Sequence, residues 1–203
     1  MFISFEGIDG SGKSTQIARL KRRLEDAGRR VVTVREPGGT PLSEHVRALL
    51  LDPALDIAPF AELLLFSAAR AQLTERVIRP ALGEGTIVIA DRFFDSTGAY
   101  QGAGRAVAEP DWVRQFSERV TGGLVPDRTY WLDLPLAESI ERRGHRSADR
   151  MEQAGADFFA RVAEAYARFA QAEPTRFHQI DATLPPERIH TQIWTDLQSL
   201  KPS

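Results

Sequence analysis

The stretch Gly7-Ile8-Asp9-Gly10-Ser11-Gly12-Lys13-Ser14 decides how this chain is read. It fits the pattern G-x-x-x-x-G-K-[ST], whose glycines let backbone N–H groups converge on phosphate oxygens. The pattern carries weight only between a strand and a helix, and both neighbours are present. A short apolar run, Phe2-Ile3-Ser4-Phe5, precedes the loop, and residues 14–27 follow it with helical spacing. A helix that starts at such a loop adds partial positive charge where an anion would sit. Lys13 is expected to reach the β- and γ-phosphates of ATP, and the Ser14 hydroxyl to ligate Mg2+. Gly7, Ile8, Asp9, Gly10, Ser11, Gly12, Lys13, Ser14 and Thr15 are therefore the candidate ATP-binding residues. Lysine is rare in the chain: of 26 basic residues, only Lys13, Lys21 and Lys201 are lysine and the rest are arginine. A compact ammonium fits a tight loop that a planar guanidinium would not.

Outward from the loop, short apolar runs at 2–5, 31–34, 86–90, 129–134 and 177–180 read as strands. Helical spacing covers 14–27, 41–51, 60–82, 109–120, 136–143, 158–172 and 187–200. Alternation of strand and helix predicts an α/β protein: a parallel five-stranded sheet flanked by helices on both faces, in a P-loop kinase fold. Ligands in such sheets bind beyond the carboxyl ends of the strands. The polar segments fall there: Gly7–Ser14 after the first strand, Arg35–Thr40 after the second, Asp91-Arg92 after the third. Residues 1–203 are expected to form one domain, with no repeat or linker dividing it.

Composition narrows the function class. With 203 residues, 42% of them hydrophobic, the chain can bury a substantial core. A formal net charge of −2 supplies no basic field for nucleic acid. There is no cysteine, which excludes disulfides and thiolate chemistry. Neither a signal peptide nor a membrane span is expected, so the expected location is cytoplasmic. Asparagine is absent too, so the Asn-Lys-x-Asp segment by which GTPases read guanine is missing.

Further residues suit phosphoryl chemistry. Asp91 closes an apolar strand, where an acid can hold Mg2+ or its waters; the alternative is a strand-end ion pair. Arg92 stands beside it, at the mouth where an acceptor phosphate would lie. Arg35-Glu36-Pro37-Gly38-Gly39-Thr40 reads as a tight turn or as a loop near that phosphate. Phe66 and Arg70 are four apart and share a helix face, where an aromatic ring and a planar donor fork suit a base, although an arginine there also suits a solvent rim. Ser96, Thr97, Tyr100 and Gln101 form a polar and aromatic cluster that also reads as a capped helix start. Residues 141–152 carry four arginines, Arg142, Arg143, Arg146 and Arg150, either on a solvated turn or on a lid that neutralises a transferring phosphoryl group. Asp181-Ala182-Thr183 follows the last strand, on the expected adenine side.

In this order and spacing, these segments resemble the thymidylate kinase family nearly end to end. The resemblance rests on Phe5–Thr15, Arg35–Thr40, Phe66-Ser67-Ala68-Ala69-Arg70, Asp91-Arg92-Phe93, 96–102, Asp149-Arg150-Met151-Glu152 and Ile180-Asp181-Ala182. It implies ATP- and Mg2+-dependent phosphorylation of dTMP to dTDP in a homodimer. By resemblance, Arg92 binds the acceptor 5′-phosphate, Phe66 stacks on thymine and Arg70 hydrogen-bonds its carbonyl. Thr97 and Gln101 lie near the base, Tyr100 lies against the sugar, and Asp9 accepts from the 3′-hydroxyl near the metal. One family variant places a catalytic arginine inside the phosphate loop. Gly10 and Ser11 stand there instead, which fits the bacterial variant with lid arginines, here Arg142, Arg146 and Arg150. Two other readings stay open: a kinase for another nucleoside monophosphate or a deoxynucleoside, and a non-catalytic nucleotide-binding switch.

Overall fold

The structure is a computed structural model that describes residues 1–144, 150, 151 and 153–200, the Arg143 side chain excepted. Five strands form one sheet: β1 Phe2–Glu6, β2 Val31–Arg35, β3 Ile87–Asp91, β4 Arg128–Asp133 and β5 Phe177–Asp181. Their order is β2-β3-β1-β4-β5, and every pairing is parallel. The strand expectations hold to within one or two residues. Each strand ends on a charged residue: Glu6, Arg35, Asp91, Asp133 and Asp181. In a parallel sheet these ends share one edge, and the register aligns Arg35 with Asp91 and Asp133 with Asp181. One edge of the molecule thus gathers the charge that the interior excludes.

Alternation along the strands divides the core between two faces. Ile3 and Phe5 of β1, Ile87 and Ile89 of β3, and Tyr130 and Leu132 of β4 pack with Ile17, Leu20 and Leu24 of α1 (Lys13–Asp26). The last helix, α9 (Pro186–Ser199), adds Ile189, Ile193 and Leu197 to this cluster. Phe2, Val88 and Ala90 face the other way, toward Leu73, Ile78 and Phe93. On β4, Trp131 stacks on Tyr166 of α8 (Ala156–Ala172), with ring centroids 5.8 Å apart. The remaining helices are α2 (Pro41–Leu51), α3 (Pro59–Leu73), α4 (Arg79–Gly83), α5 (Phe94–Thr97), α6 (Pro110–Val120) and α7 (Leu136–Arg143).

Two segments depart from the sequence expectation. The single helix expected over 60–82 is interrupted by a π-helical turn at Thr74–Ile78 between α3 and α4. Pro80 has no N–H to give the carbonyl four residues before it, so the ladder must shift near that point. Residues 94–104, where a capped helix start was the alternative reading, are helical: α5 runs into a π-helical turn at Gly98–Gly104. Glycine normally counts against a helix. Here Gly98 and Gly104 allow close packing, since a Cβ would meet the Phe169 ring at 2.9 Å and the Phe158 ring at 2.5 Å. The glycines answer to α8, a neighbour distant in sequence.

Candidate functional site

The phosphate loop leaves β1 at its buried end. Gly7, Gly10 and Gly12 all have positive φ, and a Cβ on Gly7 would lie 2.5 Å from the Leu132 carbonyl oxygen. The loop turns the chain into α1, whose first residues are Lys13 and Ser14. Lys13 Nζ folds back to donate to the carbonyls of Gly7 and Ile8, at 3.0 and 3.1 Å. Burial, reinforced by the nearby Arg92 charge, pulls the Lys13 pKa down to about 8. Ser14 Oγ donates to Asp91 Oδ2 at 3.3 Å, so the loop and the end of the neighbouring strand meet. One cavity at this junction is lined by Asp9, Gly10, Gly12, Lys13, Ser14, Thr15, Arg35, Glu36, Arg47, Asp91, Arg92 and Arg142.

A second cavity, of about 100 Å3, opens beside it and shares Asp9, Glu36, Arg47 and Arg92 with the first. Its other walls are Pro37, Leu51, Phe66, Arg70, Ser96, Thr97, Tyr100, Gln101 and Met151. Arg70 is 2% exposed and fixed on three sides. It donates to Glu36 Oε2 at 2.6 Å, to Thr97 Oγ1 at 2.6 Å and to the Phe93 carbonyl at 3.2 Å. Burial pushes Glu36 up to about 7 against the pull of Arg70. Arg92 joins the two cavities: Nη2 donates to Asp9 Oδ1 at 3.0 Å, Nη1 to Ser96 Oγ at 3.3 Å, and Cζ lies 5.0 Å from the Tyr100 ring centre. Tyr100 is pushed up to about 12 by burial, so its hydroxyl stays protonated.

Sequence reading missed the group that aims Arg92. Glu6 is fully buried, and its carboxylate accepts from the Phe93 N–H at 2.8 Å, Ser96 Oγ at 2.6 Å, Tyr166 OH at 2.8 Å and Ser4 Oγ at 3.1 Å. Arg92 lies between, with φ +73, and its own N–H donates to the Phe5 carbonyl at 2.9 Å. A left-handed non-glycine residue costs on the order of 1 kcal/mol and persists where its surroundings over-determine it. The bonds from Glu6 and Phe5 hold this turn. Burial and then Asp95 push the Glu6 carboxyl up, while the donors from Ser96 and Phe93 pull it down. The available signal was an acid ending an apolar strand directly before the phosphate loop.

Three further expectations land in different places. Asp181 is exposed and lines a separate cavity with Ile8, Asp133, Leu134, Gln179 and Thr183. The Thr183 N–H and hydroxyl bond its Oδ1 and hold its pKa below the usual range. Arg142 lines the phosphate-loop cavity and pairs with Glu138 at 3.4 Å. Arg150 instead lies 2.6 Å from Glu62 Oε2, and its Nε donates to the Leu50 carbonyl. Arg146 lies outside the described residues.

A parallel sheet whose central strand passes through a phosphate loop into a helix, with the neighbouring strand's acid on the loop serine, defines a P-loop kinase fold. Comparison with known proteins makes the class specific. The family model for thymidylate kinase matches residues 5–193, and the chain belongs to that family. It is 47% identical to a thymidylate kinase of Chlorobaculum parvum, over 99% of this chain and 97% of that protein. It is 49% identical to one of Deinococcus radiodurans, over 96% and 94%. Among solved structures, the thymidylate kinase of Ehrlichia chaffeensis superposes with a TM-score of 0.80 at 35% identity, covering 98% of both chains.

Glu6→Ala would orphan the Phe93 N–H and leave a void beneath the Arg92 turn. The expected cost is on the order of 3 kcal/mol, read as a lowered urea midpoint. An unchanged midpoint would show that the turn does not depend on Glu6.

Proposed function

We propose that this chain transfers the γ-phosphoryl group of ATP to the 5′-phosphate of dTMP, yielding ADP and dTDP. The observation that carries this reading is the contact between the two cavities through Arg92, Asp9 and Glu36. One has a phosphate loop, and the other is walled by Phe66, Arg70 and Gln101, a ring and polar groups suited to a flat base. In a direct in-line transfer, an oxygen of the acceptor phosphate bonds to the γ-phosphorus as its bond to the β,γ-bridging oxygen breaks. The acceptor phosphate is largely dianionic at neutral pH and needs little help from a base. The obstacle is repulsion between two polyanions, which Lys13, Arg92 and Arg142 on the phosphate-loop cavity answer with positive charge.

Ser14 Oγ and Asp91 Oδ2, 3.3 Å apart on the cavity wall, suit Mg2+, which takes one or two protein oxygens and completes its shell with phosphate and water. When bound, the ion would neutralise phosphate charge; Asp9 is a further acid within reach of this region. In the acceptor cavity, Phe66 stacks on the base, Arg70 donates to a ring carbonyl, Thr97 and Gln101 meet the base edge, and Tyr100 lies against the sugar. Asp181 is assigned to the adenine side. We read residues 1–203 as one domain with a lid near 141–152. A cytoplasmic location accords with the finding that no helix among the described residues is long and apolar enough to cross a membrane.

A homodimer is proposed on the apolar face of α2, α3 and α6, where Leu42, Leu49, Phe60, Leu64 and Trp112 are 42–50% exposed. Phe60 and Trp112 lie together, with ring centroids 6.1 Å apart. An apolar patch built from three helices is a common interface signature. Light scattering after size exclusion is expected to give twice the mass of one chain, and Leu64→Glu to halve it. A monomer at every concentration would overturn the proposal.

A coupled ADP-release assay with Mg-ATP across nucleoside monophosphates and nucleosides is expected to select dTMP. Lys13→Ala should lower kcat by about a thousandfold with the fold intact. Near-wild-type turnover in that variant would remove Lys13 from the mechanism, and preference for another acceptor would overturn the base assignment. The lowered Lys13 pKa adds a pH dependence. In the free protein this side chain loses its proton as pH passes about 8, whereas a bound triphosphate favours the ammonium. ATP binding should therefore take up a proton above pH 8, and affinity should fall by up to about tenfold per unit there. Calorimetry at pH 8.5 in buffers of different ionisation enthalpy checks this: enthalpies independent of buffer would contradict it.

A further inference from the structure

Glu62 lies outside the lining of the acceptor cavity, yet its carboxylate gathers three side chains that approach the cavity from elsewhere in the chain. It sits on α3 one turn before Phe66 and two turns before Arg70, so the three share a helix face. It is wholly buried. Oε1 accepts from Gln101 Nε2 at 2.8 Å, and Oε2 lies 2.6 Å from Arg150 Nη2 and 3.3 Å from Arg105 Nη2. Gln101 lines the cavity, and so does Met151, whose sulfur lies 3.5 Å from Arg150 Nη2 and 3.9 Å from Arg105 Nη2.

An amide side chain has two chemically opposite ends, a donor NH2 and an acceptor carbonyl. A carboxylate held between two guanidinium groups offers acceptors only. The end of Gln101 that faces Glu62 must therefore be Nε2, and the end left for the cavity is Oε1. Either rotamer of the amide would fill the same space, so shape does not decide between them. The charge on Glu62 does. We propose that Glu62 is a positioning residue for specificity: it fixes the hydrogen-bond polarity of Gln101, so that the cavity presents an acceptor to the base. The inference rests on the thymidylate reading and deepens it. A carbonyl acceptor matches a pyrimidine whose N3 carries a hydrogen, as in thymine or uracil. It opposes cytosine, whose N3 is itself an acceptor, by leaving two lone pairs facing each other. Sites built on buried polar groups discriminate in this way because the wrong partner leaves them unpaired.

The test is a double-mutant cycle read as the ratio of kcat/KM for dTMP to that for dCMP. In Glu62→Gln the new amide can accept or donate, so Gln101 is no longer held in one orientation. The dTMP:dCMP ratio should narrow by about tenfold or more, mainly through KM. Gln101→Met removes the amide itself and should narrow the ratio at least as far. If Glu62 acts through Gln101, the double variant should discriminate no worse than Gln101→Met alone. Should Glu62→Gln fail to fold, Glu62→Asp takes its place in the cycle: it keeps the charge between the arginines and withdraws the carboxylate from Gln101 by one methylene. A wild type that prefers dTMP, with a ratio unmoved in the Glu62 variants or narrowed equally in the Gln101→Met background, overturns this inference and leaves the thymidylate reading standing. A wild type without preference for dTMP overturns both.

Discussion

The Glu6 carboxylate is sealed at the end of the central strand, and the Phe93 N–H and the hydroxyls of Ser96, Tyr166 and Ser4 all converge on it. A buried carboxylate is tolerable only where donors surround it, so these donors are held in place as firmly as the charge is. Phe93 and Ser96 belong to the segment that turns at Arg92, and Tyr166 belongs to α8. One charge thus locks together the end of β1, the turn after β3 and a helix from the far end of the chain. The Arg92 side chain is aimed by this lock toward Asp9 on the phosphate loop. Without it, the two cavities would have no fixed relation to each other.

Electrostatics elsewhere follow from the same arrangement. Parallel strands send their charged ends to one edge, and burial there acts on each group according to its sign. Lys13 is pulled down while Glu36 and Tyr100 are pushed up. Lys13 rests on loop carbonyls, and a bound polyanion would favour its charged form.

The acceptor cavity uses a different logic. Arg70 is held in place by its bonds to Glu36, Thr97 and the Phe93 carbonyl, which leave an Nη1 hydrogen for a ligand. Gln101 is committed through Glu62. Both side chains are oriented before any ligand arrives, so little ordering remains to oppose binding. The glycines of the π-helical turn at Gly98–Gly104 let α8 approach closely, and Phe158 and Phe159 of α8 meet the Tyr100 ring edge-on.

The sequence alone determined the elements whose causes are local. The phosphate loop needs glycines at set spacings, and the strands declare themselves as apolar runs that end in charge. Their alternation with amphipathic helices leaves a parallel sheet as the way to bury both faces. Other features had no local cause to read. Gly98 and Gly104 carry no local signal, because the rings that require them, Phe169 and Phe158, lie 71 and 54 positions away. Glu6 looked like a strand end until four donors from three segments closed around it. Arg150, read with the other arginines of 141–152, pairs with Glu62 across 88 positions, a contact that no local pattern announces. Spacing along a chain encodes what neighbours in sequence must do. Which distant charges come to share a buried site depends on the packing of the whole core, and only the tertiary structure decided that.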